Sequence, residues 1–318
     1  MPELYQIFDA TVSSDFPLPE LPRSLCESPD LFVKQGAGDW RRLQAGGFKT
    51  AFEWRNADDA LVCWCERKGD EYLFVFEGFA AFHISAEGII SCFQLKRATP
   101  QLLRHLLLNQ IIPRYLATIG RMVLHAGAVT LKNGKTIAFL GNSGFGKSTL
   151  VSSFHRHGAR LINDDCIMLE NSESGVTAIG GLAGIRLFPD SVNAVFTEAA
   201  GFTNYTPSTD KQQLYLKDQA DAGLSRPCVL DAMFLLNDPQ EEPVDMVTVE
   251  PVPGSKAMMA IIYSAFSLDP SDRKTIAGNF KNAGRVISEH LPCFSLQYPR
   301  VHGRLEEVRG AVENCLVA

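Results

Sequence analysis

The chain has 318 residues, of which 46% are hydrophobic and 21% charged, with a formal net charge of −6. Such a composition supplies core material for one large globular domain or two ordinary ones, and its acidic balance excludes a global basic field for nucleic acid. No apolar run approaches the ~18 residues of a membrane span, and the start Met1-Pro2-Glu3-Leu4-Tyr5 lacks the basic and apolar parts of a signal peptide. A cytoplasmic protein with no membrane or nucleic-acid partner is therefore expected, its eight cysteines reduced. Cys63-Trp64-Cys65 places two thiols on one strand face, where they pack as small apolar groups.

Residues 12–50 are rich in Pro, Gly and Ser and predict irregular structure with short strands. Residues 60–65 predict a strand, 71–76 and 80–84 a hairpin around Glu77-Gly78, and 88–94 a further strand. Residues 1–97 thus read as a β-rich N-terminal domain. Thr99-Pro100 opens a helix with a cap residue and an N-terminal proline. Leu102, Leu103, Leu106, Leu107, Ile111, Tyr115, Leu116 and Ile119 continue it at helical spacing, and Pro113 should kink it. This stripe is core rather than coiled-coil seam and makes 98–120 a bridging helix.

From 121 to 318 strands and helices alternate, as in an α/β domain within a protein that is α+β overall. Strands are expected at 123–131, 135–140, 160–163, 229–236 and 244–249, and helices at 148–155, 255–266, 271–290 and 304–316. The polar stretch 200–225 reads as an active-site loop.

The chemistry is concentrated after the strand at 135–140. Gly141-Asn142-Ser143-Gly144-Phe145-Gly146-Lys147-Ser148 fits G-x-x-x-x-G-K-[ST], a loop whose N–H groups cradle phosphates while its lysine reaches the β/γ-phosphates and its hydroxyl ligates Mg²⁺. Strand, loop and helix is the context that such a phosphate loop needs. Asp164-Asp165 then ends the next strand. A phosphotransferase needs one carboxylate on the Mg²⁺ side and, for a hydroxyl acceptor, another to take the proton; the bland alternative is an exposed Asn-Asp-Asp turn. His125, in Leu124-His125-Ala126-Gly127-Ala128, matters chemically only if it faces the acids, and is otherwise a structural hydrogen-bond partner.

Leu124 to Ala128, Gly141 to Thr149 and Arg160 to Asp165 together resemble the catalytic core of the HPr kinase/phosphorylase family. The resemblance implies a fold similar to phosphoenolpyruvate carboxykinase, ATP bound on residues 141–149 with Mg²⁺, and transfer of phosphate to a serine of a protein or peptide. It implies Asp164 as base, Asp165 with Ser148 on the metal side, and His125 in support. It also leaves a homo-oligomer open, as the family's enzymes are oligomeric. Where that family carries a metal-binding Glu, this chain has Ala178. Gly184-Ile185-Arg186-Leu187-Phe188-Pro189-Asp190 looks instead like a segment of HPr-kinase-like proteins of peptide biosynthesis, including kinases of lasso-peptide precursors. Within that reading Arg186 touches a phosphate or a peptide carboxylate, and Lys211 covers the transferred phosphoryl group; the plain alternatives are a surface salt bridge and a solvated lysine. The expected function is an ATP-dependent kinase for a serine of a peptide or small protein. A nucleotide-sensing binding protein and a small-molecule kinase are the alternatives.

Overall fold

The computed structural model describes residues 2–56, 58–182, 184–196, 201–203, 210–216, 226–240 and 244–316. The chain forms two compact units. The first comprises Met1–Gly120 with Ser267–Ala277, and the second Arg121–Phe266 with Gly278–Ala318. The segment Ser267–Ala277, expected with the second region, clusters with the first.

The first unit is built on one eight-stranded sheet. Its strands are β1 (Glu3–Ile7), β2 (Ala10–Ser14), β3 (Leu31–Gln35), β4 (Lys49–Arg55), β5 (Leu61–Lys68), β6 (Glu71–Phe76), β7 (Ala80–Ile84) and β8 (Ile89–Gln94), in the order β1-β2-β3-β8-β7-β6-β5-β4. The expected hairpin pairs Phe76 with Ala80, and Gly78 turns it at φ +75°, a conformation that favours glycine. Thr99 caps the helix Pro100–Leu106, its hydroxyl accepting from the Leu102 N–H at 3.2 Å. The single kinked helix foreseen here is two helices, Pro100–Leu106 and Ile112–Thr118, joined by a π-turn at Leu107–Ile111. Pro113 has no N–H, and its ring displaces the carbonyl four residues back, so the wider turn absorbs the clash.

A charged knot holds Ser267–Ala277 in this unit. Arg67 Nη1 lies 3.2 Å from Asp269 Oδ2 and 2.8 Å from Asp272 Oδ1. Asp272 also accepts from the Thr275 N–H at 2.9 Å and hydroxyl at 2.7 Å, capping the helix Arg273–Ser288.

The second unit centres on a six-stranded sheet in the order β12-β10-β11-β18-β20-β19. Its members are β10 (Ala126–Thr130), β11 (Thr136–Leu140), β12 (Arg160–Asn163), β18 (Ala232–Leu236), β19 (Thr248–Pro251) and β20 (Cys293–Gln297). Beside it, β9 (Met122–Leu124), β13 (Ile167–Ser172), β14 (Gly175–Gly180) and β17 (Cys228–Val229) form an antiparallel sheet. β15 (Gly184–Leu187) and β16 (Gln212–Tyr215) pair separately. The period-2 rule sorts the central strand cleanly. Ile137 and Phe139 enter one apolar cluster with Phe154, Phe234 and Val308, while Ala138 and Leu140 enter another with Ile162, Met233 and Ile261. β11 is therefore buried on both faces.

Two expected strands prove to be broken. Residues 123–131 divide at His125, so that β9 and β10 join different sheets, and the His125 N–H leaves the ladder to donate to Ser264 O at 2.7 Å. Residues 229–236 divide at Leu230-Asp231, where Asp231 Oδ2 accepts from the Thr136 N–H at 2.7 Å. The strand expected at 244–249 lies at Thr248–Pro251, and β20 was not foreseen. Most of 200–225 falls outside the described residues, although β16 lies in it. All eight cysteines are free thiols. Among the described residues no helix is long and apolar enough to cross a membrane.

Burial pushes the Asp272 carboxyl up, but the Arg67 and Thr275 hydrogen bonds outweigh it and hold its pKa near 2. A carboxylate depressed in the folded state stabilises fully above the unfolded pKa of ~3.9 and loses that contribution as pH falls through the folded value. Partial solvent screening at this half-buried pair leaves about 1 kcal/mol. Asp272→Asn should therefore lower the unfolding free energy by about that amount at neutral pH. In urea titrations the gap from wild type should close between pH ~4 and ~2, and a gap independent of pH would contradict this account.

Candidate active site

β12 and β11 each run antiparallel to β10, while β11, β18 and β20 are mutually parallel. Four strands therefore end on the same edge of the sheet, where open α/β sheets bind ligands. A cleft of about 260 Å³ opens there. It is lined by Asp165 after β12, the phosphate loop after β11, Pro239 after β18, and the turn from Tyr298 to Leu305 after β20.

The loop has the curled backbone its glycines allow. Gly144 and Gly146 sit at φ +88° and +91°, and Gly146 opens the helix Lys147–Arg156, whose N-terminus carries the positive end of the helix dipole. A Cβ on Gly146 would stand 2.6 Å from the Tyr298 hydroxyl. Ser143, Gly144, Gly146, Lys147, Ser148 and Thr149 face the cleft. Gly141, Asn142 and Phe145 shape the loop from behind: the Asn142 carbonyl accepts from the Phe145 N–H at 3.2 Å, and Phe145 packs on the apolar cluster below. Lys147 is buried and donates to the carbonyls of Gly141 at 2.7 Å and Asn142 at 3.0 Å. Burial lowers its pKa to about 8, opposed by the charges of Asp165 and Asp164.

The two acids divide at their turn. Asn163, itself buried, accepts from the N–H groups of Asp165 at 2.9 Å and Cys166 at 3.1 Å, and donates to Leu182 O at 3.1 Å. Asp164 then points inward. Its Oδ2 accepts from the Arg186 N–H at 2.7 Å, while Oδ1 is buried without a hydrogen bond of ordinary geometry. Desolvation, then the neighbouring charge of Asp165, raises its pKa; the Arg186 N–H and the Ser148 hydroxyl act in the opposite direction. Asp165 points into the cleft, with Arg186 Nη1 3.8 Å and His125 Nε2 4.0 Å from its two oxygens. Arg186 reaches this place on β15, which pairs with β16. Lys211, just before β16, lies 5.2 Å from the centre of the Phe188 ring and also lines the cleft.

His125, Lys147, Arg186, Lys211, Ser148 and Asp165 thus share one wall system, with Asp164 buried behind it. Sequence reasoning missed the opposite end. Tyr298, Arg300, Val301 and His302 line it, as does Ser191 from the helix Pro189–Val195. The signal that could have found it was the short stretch Cys293–Gln297 between two helices, with Phe294 and Leu296 alternating with Ser295 and Gln297 before Pro299, a strand-and-turn pattern.

Among the described residues no three His, Cys, Asp or Glu side chains converge on a metal position. Magnesium does not require such a cage: it takes one or two carboxylates with substrate phosphates and water. The Ser148 hydroxyl, the Asp165 carboxylate and the unsatisfied Asp164 Oδ1 are hard oxygen donors that fit it.

No protein-family profile matches this chain, and no curated protein does. Among solved structures it is similar to the Hpr(Ser) kinase/phosphatase from Coxiella burnetii. The match has a TM-score of 0.33 and 13% identity, and covers 61% of this chain and 96% of that one. A likeness at that level says nothing of activity.

Small residues let the elements that carry the cleft approach one another. A Cβ on Gly127 would meet Val151 Cγ2 at 2.6 Å and the Asp164 carbonyl at 3.1 Å, and one on Gly180 would meet the Ile162 carbonyl at 2.2 Å. Gly180→Ala must part β14 from the strand that leads to the acids, at a cost of about 1–3 kcal/mol. Gly278→Ala, with nothing within 4 Å of the new methyl, should be neutral or stabilise by up to ~1 kcal/mol. Urea midpoints test the pair, and an unchanged midpoint for Gly180→Ala would refute the close packing.

Proposed function

We propose that this chain is a phosphotransferase that moves the terminal phosphoryl group of ATP to a hydroxyl, the acceptor being a serine of a peptide or small protein. The observation that carries the reading is the placement of Asp164. Its carboxyl is buried beside a phosphate loop, where burial and the neighbouring charge of Asp165 favour the protonated form, the condition of a carboxyl that can exchange a proton with a bound hydroxyl.

The other side chains take roles that their positions favour. Lys147 turns from the loop carbonyls to the phosphates. Arg186 and Lys211 bring positive charge to the acid end, where charge on the phosphoryl group needs an opposite partner. Ser148 and Asp165 hold magnesium, which when bound neutralises phosphate charge. His125, facing Asp165, keeps that carboxylate oriented. Asp164 accepts the proton of the attacking hydroxyl. A serine in a peptide is favoured by the sequence resemblance, in which the stretch at 184–190 looks like that of kinases of peptide precursors.

The test offers ATP, Mg²⁺ and a library of serine-containing peptides, with transfer followed by mass spectrometry. Asp164→Asn should reduce transfer by about 10²–10⁴-fold while ATP affinity stays within roughly threefold. Lys147→Ala should lose nucleotide binding. Undiminished transfer by Asp164→Asn would remove Asp164 as base. Tight nucleotide binding without transfer to any hydroxyl would favour a nucleotide-sensing binding protein.

A further inference from the structure

The helix Gly254–Ser264 ends beside the acid end of the cleft. Its inner residues Ala257 and Ile261 enter the apolar cluster that also takes Ala138 and Leu140 of β11. The residues that close it are stitched to the strand leading to His125. The His125 N–H donates to Ser264 O at 2.7 Å, the Phe266 N–H donates to Val123 O at 2.9 Å, and Leu124 and Ala265 pair as an isolated bridge. The Phe266 ring lies 6.2 Å from that of His125, and His125 lines the cleft opposite Asp165. The helix thus leads from open surface to the acids.

Its outer face is apolar where a solvated helix is polar. Lys256, Met259 and Tyr263 are spaced by three and four positions and so share one side of the helix. Met259 is 40% and Tyr263 78% exposed. One exposed apolar residue needs no explanation, whereas several together beside charge indicate a binding surface. The helix Arg273–Ser288 adds to it: Ala283 and Val286 enter the same cluster, and Phe280 is 44% exposed. The two helices meet where Gly254 faces Ile287. A cavity of about 310 Å³ lies there, lined by Val252, Ala257, Ile287, Leu291 and Phe294 among others. Neither helix carries an Asp or Glu, although the chain as a whole has a net charge of −6, while Lys256, Lys281 and Arg285 are exposed on them. The acid next in sequence is Glu289, just past the second helix. Positive charge beside apolar surface selects a partner that is acidic and apolar, and a face that leads to the acids suits the molecule that must reach them.

We infer that this face docks the phosphoryl acceptor through an acidic segment with apolar side chains, separate from the serine that is phosphorylated. The segment rests on Met259 and Tyr263, places an apolar side chain in the cavity at Gly254, and sets its acids against Lys256, Lys281 and Arg285. The helix is about 16 Å long at ~1.5 Å per residue, so an extended chain reaches from the cavity to His125 in about five residues. The inference rests on the kinase reading proposed above.

Three sets of synthetic peptides test it, each with one serine and, about five residues away, a segment that is acidic and apolar, basic and apolar, or neutral and polar. The full chain receives each set with Mg·ATP, and transfer is followed by mass spectrometry. Wild type should show a KM at least about tenfold lower for the acidic apolar set than for the other two. Met259→Ser combined with Tyr263→Ser should raise that KM about tenfold and leave kcat and ATP affinity within roughly twofold. Lys256→Glu combined with Arg285→Glu should shift the preference to the basic set. Transfer that is indifferent to the segment and to these variants would overturn the docking face and leave the kinase standing. Absence of transfer to every set, with ATP still bound, would overturn the kinase reading and the inference with it. A wild-type dimer that the Met259 and Tyr263 variant dissolves in sedimentation would give the face to a second copy, and capture by phosphatidylserine vesicles would give it to a membrane; either result overturns the inference.

Discussion

A single buried amide, Asn163, sets the geometry on which the cleft depends. Its oxygen accepts from two successive N–H groups of the turn, and its nitrogen donates across to the Leu182 carbonyl ahead of β15. An aspartate there would lose the donor and bury a third charge next to two others; a serine would be too short to span both sides. With the turn closed in this way, the backbone alternation sends Asp164 under Arg186 and Asp165 toward solvent. The register shift between Ala128 and Val129, opposite this strand end, adds the local bend that bulges commonly provide beside functional groups. Unmet hydrogen bonds in a buried amide are costly, so the arrangement holds as a unit.

Two groups at the cleft are shifted away from their ordinary charge by burial. Burying Asp164 next to Asp165 disfavours its charged form, and burying Lys147 disfavours the ammonium. Both shifts follow from water removed faster than partners are supplied. Anionic phosphate meets the need of Lys147, and a hard cation meets that of the carboxylates. Such perturbed groups cluster where function requires them.

Much of this was legible in the sequence because it is local. The phosphate loop is fixed by glycine positions and by the strand and helix that flank it, and the hairpin at β6–β7 by alternation and a turn glycine. What sequence reasoning lost was decided by distant partners. Nothing in the apolar run 123–131 reveals that the His125 N–H bonds to Ser264 O and so hands the chain from one sheet to the next. Asp231 likewise breaks its run by pairing with Thr136, 95 positions away. The far wall of the cleft was missed because its short strand, β20, is half-polar and gains its identity only between β18 and β19. Arg186 and Lys211 lie 25 positions apart with nothing in the sequence to join them, and only the pairing of β15 with β16 brings them to one opening.

The knot at Arg67 has a consequence for the order in which the molecule can be made. Its carboxylate partners, Asp269 and Asp272, lie 202 and 205 positions further along. A chain leaving the ribosome from its N-terminus completes the strands of the first unit early, yet Arg67 waits for both partners until most of the second unit's sequence has emerged. The first unit is thus sealed only after Ser267–Ala277 has been made, and its final closure follows the synthesis of the phosphate loop. Cutting the gene at residue 120 would divide the sequence without dividing the structure, since the excised first part would lack the segment that finishes it.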